Sequence, residues 1–295
     1  MKVVTDAPMP EVAGVTHRWI AVGDLDMHVA EAGRGNPVML LHGSPQHWYE
    51  WRRVVAELAP EHRLVMPDLR GSGWTTGPGT GFDVESQLRD VLGLLDALEL
   101  DRPILVTHDY SVFLGWRLAF DHPERIAGLV ALGSPHPWTR PSLAMVPQLW
   151  RLWFQPVLAA PGLGAIAARS GRQGTVRYML DWPDATFDEA EREAFLAVWR
   201  IPEHARGLSA IYRRLILPGM ARLPRGDYDG RRLPVPTRIV LAGNDPVMTE
   251  ARLGPWRGTA DDLRISTAAG AGHYIPSDRP DAVAAAVREL ASQRP

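Results

Sequence analysis

Short apolar runs that stop at glycine or aspartate alternate with amphipathic helical segments through the first half of the chain. LDMHVAEAG has strand character, and PVMLLHG, HRLVMPDLRG, PILVTHD and IAGLVALGSP are compact apolar runs. WYEWRRVVAELA and SVFLGWRLAF read as helices, and from Val84 apolar residues recur at Leu88, Val91, Leu92, Leu95 and Leu98, one face of a third helix. Strands that are apolar on both faces and separated by helices belong in a parallel sheet covered on both sides. The alternation then stops. Residues 137–231 are rich in Trp, Leu, Pro and Arg, with helical patches and no convincing strand. PTRIVLAGND and LRISTAAGAGH resume the strand pattern, and DAVAAAVRELA closes as an amphipathic helix. The pattern predicts an α/β fold: a doubly wound, mostly parallel sheet formed by residues 1–136 and 232–295, with a helical cap inserted at 137–231.

A chain of 295 residues is near the upper limit for growth around a single core, which suits one main domain with an insertion. With 45% hydrophobic and 22% charged residues and a net charge of -2, it has no basic stripe for nucleic acid and no charged tail. It contains no cysteine, which excludes disulfides, thiolate metal sites and a cysteine nucleophile. The N-terminus lacks an apolar leader, and the most apolar stretch, 143–168, is interrupted by Pro147, Arg151, Pro156 and Pro161. The expectation is a cytoplasmic protein that works without membrane, nucleic acid, metal or cofactor; a homodimer is compatible with these features.

Chemistry is concentrated in VTHDYSVFLGWRLA, which opens at Val106. An apolar strand meets a helix at Asp109, with the small residues Thr107 and Ser111 two positions to either side, as a sharp strand-to-helix turn carrying a nucleophile requires. Two other readings exist. Asp109 can serve simply as an N-cap, and Ser111 can be the nucleophile in a shifted register, although Phe113 is then too large for its flanking position. Three further loops follow strands: His42-Gly43-Ser44-Pro45, Asp245 in LAGNDPV, and His273 in AGAGHYIP. Taken singly, these are an ordinary turn, an Asx-turn and a lone histidine. Taken together, they give the order nucleophile, acid, histidine.

These residues make the chain resemble the epoxide hydrolase and haloalkane dehalogenase branch of the α/β-hydrolases, and most closely the epoxide hydrolases. The resemblance runs from about His17 to the final helix. It rests on His42–Pro45, on DLRGSG at Asp68–Gly73, on THDYS around Asp109, on SPHP at Ser134–Pro137, and on Asp245 and His273. It implies a triad of Asp109, Asp245 and His273, a cis peptide before Pro45, and an oxyanion hole made by the backbone N–H groups of Ser44 and Tyr110.

An aspartate nucleophile has a chemical consequence. Serine attacking a saturated carbon would leave an ether, which water does not readily cleave. Aspartate leaves an ester, which water activated by a histidine can hydrolyse at the aspartate's own carbonyl. The substrate implied is a small, mostly apolar epoxide opened by water to a vicinal diol through a covalent aspartyl ester. An opening epoxide needs an acid, and the resembled enzymes use two cap tyrosines. LSAIYRRL resembles the segment of the second, which assigns Tyr212. QLWRLWFQ resembles the segment of the first, but Trp150 stands where tyrosine is expected, with Tyr178 as a less well aligned substitute. His42, Trp150 and Trp153 are assigned to the substrate-binding wall.

A haloalkane dehalogenase with the same nucleophile is the alternative, since an indole N–H such as that of Trp150 can hold halide. Against it, Tyr110 rather than Trp follows the nucleophile, and Ser44 rather than Asn follows His-Gly. A reading from another class is a non-catalytic ligand-binding protein built on the same fold.

Overall fold

The structure, a computed structural model, describes residues 7–140, 143–182 and 184–293. Residues 1–6, part of the segment read as lacking a leader, lie outside them. Eight strands form one sheet in the order β1-β2-β4-β3-β5-β6-β7-β8. They are β1 Val15–Val22, β2 Leu25–Ala32, β3 Asn36–Leu41, β4 His62–Pro67, β5 Ile104–His108, β6 Gly128–Leu132, β7 Thr237–Ala242 and β8 Leu263–Ala268. β1 and β2 pair antiparallel with each other, and β2 pairs antiparallel with β4; every other pairing is parallel.

The burial of the strands explains the sequence pattern. β5, β6 and β7 are buried at every position, so their sequences are continuous apolar runs. The edge strands β1 and β8 mix buried and exposed positions. β1 carries Thr16, His17 and Arg18 near its start, and most of its positions are exposed or half-buried, so it lacks the continuous burial that marks the central strands.

Helices α1 Arg52–Leu58, α2 Val84–Ala97 and α3 Val112–Asp121 connect the first strands. Between β6 and β7 the chain forms 3-10 turns over Leu143–Leu152, then α4 Phe154–Ala159, α5 Leu163–Arg169, α6 Gly174–Leu180, α7 Glu189–Trp199, α8 Pro202–Ile211 and α9 Leu217–Arg225. Short helices α10 Glu250–Leu253 and α11 Ile275–Asp278 precede α12 Pro280–Ala291, whose apolar stripe packs on the sheet. Among the described residues, no helix is long and apolar enough to cross a membrane.

The strand order places the site. β3 lies between β4 and β5, so the connections leaving β3 and β5 diverge to opposite sides and open a crevice at their C-terminal ends. Leu41 is in register with Thr107, which brings the loop after β3 beside the turn after β5. Ala242 is in register with Ala268, which does the same for the loops after β7 and β8. The helical block is fastened over these loops. Arg52 and Arg53 both bind Glu191 of α7, Trp199 donates its indole N–H to the Pro45 carbonyl at 2.7 Å, and Tyr274 donates its hydroxyl to the Met179 carbonyl at 2.6 Å.

Candidate active site

Asp109 follows β5 with φ +54°, a left-handed conformation unusual for a residue with a side chain and held here by its surroundings. Ser111 explains part of that hold. It is fully buried; its hydroxyl accepts from the His108 N–H at 3.0 Å and lies 2.8 Å from the carbonyl oxygens of Leu41 and His108, one of which takes its proton. A hydroxyl so committed braces the turn and is not the nucleophile of the shifted register. Ser134 donates its hydroxyl to the Asp109 carbonyl at 2.9 Å. The loop after β3 comes so close that a Cβ on Gly43 would lie 2.7 Å from that of Asp109, so only glycine fits there.

Those constraints aim the carboxylate. Its Oδ1 accepts from the Ser44 N–H at 3.0 Å, and its Oδ2 is 3.6 Å from His273 Nε2. On the far side of the imidazole, Nδ1 is 3.2 Å from Asp245 Oδ2. Asp245 is itself buried, and its Oδ1 accepts from the N–H groups of Val247 and Met248 at 2.7 and 3.0 Å. The peptide between Ser44 and Pro45 is cis, as the resemblance implies.

The electrostatics follow. Burial alone would lower the His273 pKa, but hydrogen bonding and charge from Asp109 and Asp245 together raise it to about 10. Burial alone would raise both carboxyl pKa values, yet His273 holds each below the usual carboxylate range, assisted by the Ser44 amide at Asp109 and by the Met248 and Val247 amides at Asp245. The resting arrangement is an imidazolium between two carboxylates.

A cavity of about 100 Å³ opens over this arrangement. Its floor includes Ser44, Asp109, Tyr110, Ser134, Asp245 and His273. Its roof comes from the helical block: Leu152, Phe154, Gln155, Met179, Trp182 and Tyr212 among others. Tyr212 is 3% exposed and begins a π-helical turn, Tyr212–Ile216, which interrupts the run of α-helix and has both its end residues in the wall. Its hydroxyl has the Met179 thioether at 4.0 Å. Burial and then the Asp109 charge push its pKa well above the ordinary tyrosine value.

Three residues assigned to the wall from sequence lie outside it. His42 is fully buried beneath the loop: its Nε2 accepts from the Leu69 N–H at 3.0 Å, and its Nδ1 donates to the Gly43 carbonyl at 2.9 Å. Trp150 is 63% exposed, under the Arg151 guanidinium, and Trp153 is 42% exposed, against the Tyr178 ring. The cause is helical phase. Leu143–Leu152 is 3-10, in which residues three apart share a face, so Trp150 and Trp153 lie together on the outer side, while Leu152 and Phe154 line the cavity. Tyr178, the substitute acid, also lies outside the cavity wall; it donates to the Arg151 carbonyl at 3.1 Å.

Sequence reasoning missed a brace beneath Asp109 and His273. His108 Nε2 donates to the His273 carbonyl at 2.9 Å, while its Nδ1 is 2.9 Å from Glu50 Oε1. Glu50 Oε2 in turn accepts from the Gly43 N–H at 3.0 Å. One buried pair thus joins the loops carrying Ser44, Asp109 and His273. Glu50 lies in WYEWRRV as an apparently ordinary helical glutamate; only its fully buried position marks it.

Residues 36–280 match the family model of the alpha/beta hydrolase fold. The chain is 25% identical to the soluble epoxide hydrolase of Corynebacterium sp. (strain C12), covering 91% of this chain and 94% of that one. It is 28% identical to epoxide hydrolase A of Mycobacterium tuberculosis, covering 93% and 97%. Among solved structures it is similar to Cfl2 of Burkholderia cenocepacia, with a TM-score of 0.81 and 28% identity over 96% of this chain and 97% of that one. The chain belongs to the α/β hydrolase fold family.

Proposed function

We propose that this protein hydrolyses a small, mostly apolar epoxide to a vicinal diol, with Asp109 as the covalent nucleophile. The observation that carries the reading is the Asp109 carboxylate itself, ionised at neutral pH, with one oxygen on the Ser44 N–H and the other facing His273. The names and extents of the epoxide hydrolase relatives support the substrate class.

The steps follow from the charges. An Asp109 oxygen attacks a ring carbon; the C–O bond breaks, and the released oxygen takes the Tyr212 proton. Asp109 is now a neutral ester, so one of the two charges that kept His273 protonated is gone. The His273 pKa falls, its proton passes by way of water to the Tyr212 phenolate, and the neutral imidazole becomes a base for the attacking water. Water attacks the ester carbonyl, and negative charge develops on the oxygen held by the Ser44 N–H, with the Tyr110 N–H as the second donor. Asp245 orients the imidazole and stabilises its charged form. One water proton stays on His273, restoring the imidazolium, the other goes to the diol oxygen leaving the ester, and the diol departs with Asp109 again a carboxylate. No metal or cofactor enters these steps, and the reaction takes place in the cytoplasm.

The dehalogenase reading drew on the Trp150 indole as a halide donor, and that indole lies outside the cavity. A purely ligand-binding role leaves the alignment of Asp109, His273 and Asp245 unexplained. The deciding experiment is a turnover screen of epoxides against haloalkanes of similar size, following diol and halide release. Multiple turnovers to diol are expected; halide release without diol formation, or stoichiometric binding without turnover, would overturn the reading.

A further inference from the structure

We propose that the indole N–H of Trp182 is the second hydrogen-bond donor to the oxygen released from the epoxide, acting beside Tyr212. The inference deepens the epoxide reading and rests on it. A ring oxygen that becomes an alkoxide in a closed apolar cavity needs donors already in position. With Trp150 and Tyr178 outside the cavity, Tyr212 has no tyrosine partner from either segment.

Trp182 has the required position. It follows α6 at the cavity wall and is 7% exposed. Its backbone is pinned at both ends, the N–H donating to Met179 and the carbonyl accepting from Ala185. Its ring stands edge-on to His273 with centroids 6.3 Å apart, and edge-on to Phe154 at 6.3 Å. Phe154 is in turn edge-on to Tyr212 at 6.1 Å. Trp182, Phe154 and Tyr212 therefore form one aromatic arc in the roof. Met179 lies one helical turn before Trp182 and beside the Tyr212 hydroxyl, so the two donor-bearing rings share a neighbour.

The Trp182 N–H is buried and has no hydrogen-bond partner. Buried donors are normally satisfied, and an exception calls for a cause. Among the described residues, four indole N–H groups are in this state: Trp48, Trp51, Trp116 and Trp182. The first three are fully buried core side chains; only Trp182 belongs to the cavity wall. A substrate oxygen would supply the missing acceptor.

The chemistry divides the work. An indole N–H donates a hydrogen bond but does not give up its proton at neutral pH. When the ring C–O bond breaks and the Asp109–carbon bond forms, the proton comes from Tyr212 and Trp182 only stabilises the charge. Trp182 therefore acts in alkylation and has no part in ester hydrolysis, which belongs to His273.

The test is rapid-quench single turnover with styrene oxide and para-substituted styrene oxides, measuring alkylation and ester hydrolysis separately. Trp182→Phe is expected to slow alkylation by up to about 10²- to 10³-fold, the usual cost of one preorganised donor, while ester hydrolysis stays within about twofold of the unaltered enzyme. Site-specific replacement of Trp182 by benzothienylalanine, with sulfur in place of the N–H, keeps the shape; it should give the same split and carries the test if Trp182→Phe does not fold. Unchanged alkylation in the benzothienylalanine variant would overturn the proposal. So would an equal loss in both steps, because a packing role against His273 would damage hydrolysis too. If the unaltered enzyme is not alkylated by any epoxide, the substrate reading fails first and this proposal with it.

Discussion

Asp109, Asp245 and His273 each stand just beyond the C-terminal end of a strand, whereas Phe154, Trp182 and Tyr212 come from three separate segments of the helical block. In the floor, the strand register sets the spacing, and the three charged side chains have polar partners at stated distances: the Ser44 N–H to Asp109, Asp109 to His273, and His273 to Asp245. In the roof, aromatic edges and a thioether set the positions, and the polar atoms of Tyr212 and Trp182 are left weakly partnered or unpartnered. A preformed charge array suits the nucleophilic and hydrolytic steps, which need the same geometry each time. Underused donors suit a reacting oxygen that brings its own lone pairs. Burial of a carboxylate–histidine pair is not the distinguishing feature: Asp68 and His28, 2.7 Å apart, are fully buried, but Asp68 binds the Trp48 and Trp74 N–H groups and His28 faces His17. That pair braces loops beneath the site; the His273 pair faces Asp109.

Changes in the floor should stop the reaction. Asp109→Asn should reduce turnover by at least about 10⁴-fold, since no covalent ester can form. It should also lower the His273 pKa from about 10, because one of its two carboxylates is gone; titration of the histidine ring signals by NMR reads this directly. An unchanged histidine titration would mean that Asp109 does not hold the imidazolium. His273→Gln should still be alkylated but should not hydrolyse the ester, so intact-protein mass spectrometry should find an increase of one substrate mass. Normal turnover, or a folded variant that never gains the adduct, would remove His273 from the second step.

Changes in the roof should be smaller and confined to the first step. Tyr212→Phe should slow alkylation by about 10²–10⁴-fold, the usual contribution of a general acid, and leave breakdown of a preformed ester nearly unchanged. Equal losses in both steps would erase the distinction between floor and roof. The smallest effect belongs to Trp150→Phe. With that ring 63% exposed and outside the cavity, epoxide turnover should stay within about twofold of the unaltered enzyme. A larger loss would show that the segment carrying Trp150 folds inward during catalysis.

The same division describes what the sequence could reveal. The floor's strands were legible because a buried parallel strand writes itself as an apolar run, and the loops at their ends carry glycine, proline and polar residues in fixed chain order; the roles expected of Asp109, Asp245 and His273 came from the resemblance. Strand β1 was not legible, since an edge strand interrupted by Thr16, His17 and Arg18 has an unbroken apolar run over only half its length. In the roof, the match at AIYRR found Tyr212, but no periodicity announced the π-helical turn it begins. QLWRLWFQ supplied the right segment and the wrong faces: one residue of helical phase separates the exposed Trp153 from the buried Phe154. Glu50 and His108 escaped because their pairing is a tertiary fact between residues far apart in the chain.

Nucleophilic attack by Asp109 is tested most directly by single turnover in ¹⁸O-labelled water, with enzyme in excess over epoxide. Water attacking the aspartyl ester at its carbonyl places the label in the Asp109 carboxylate and releases diol whose new oxygen came from the protein. Peptide mass spectrometry should therefore find ¹⁸O on the peptide containing Asp109 and unlabelled first-turnover diol. Label in the diol alone, with Asp109 unlabelled, would mean that water attacks the epoxide directly and would contradict the account.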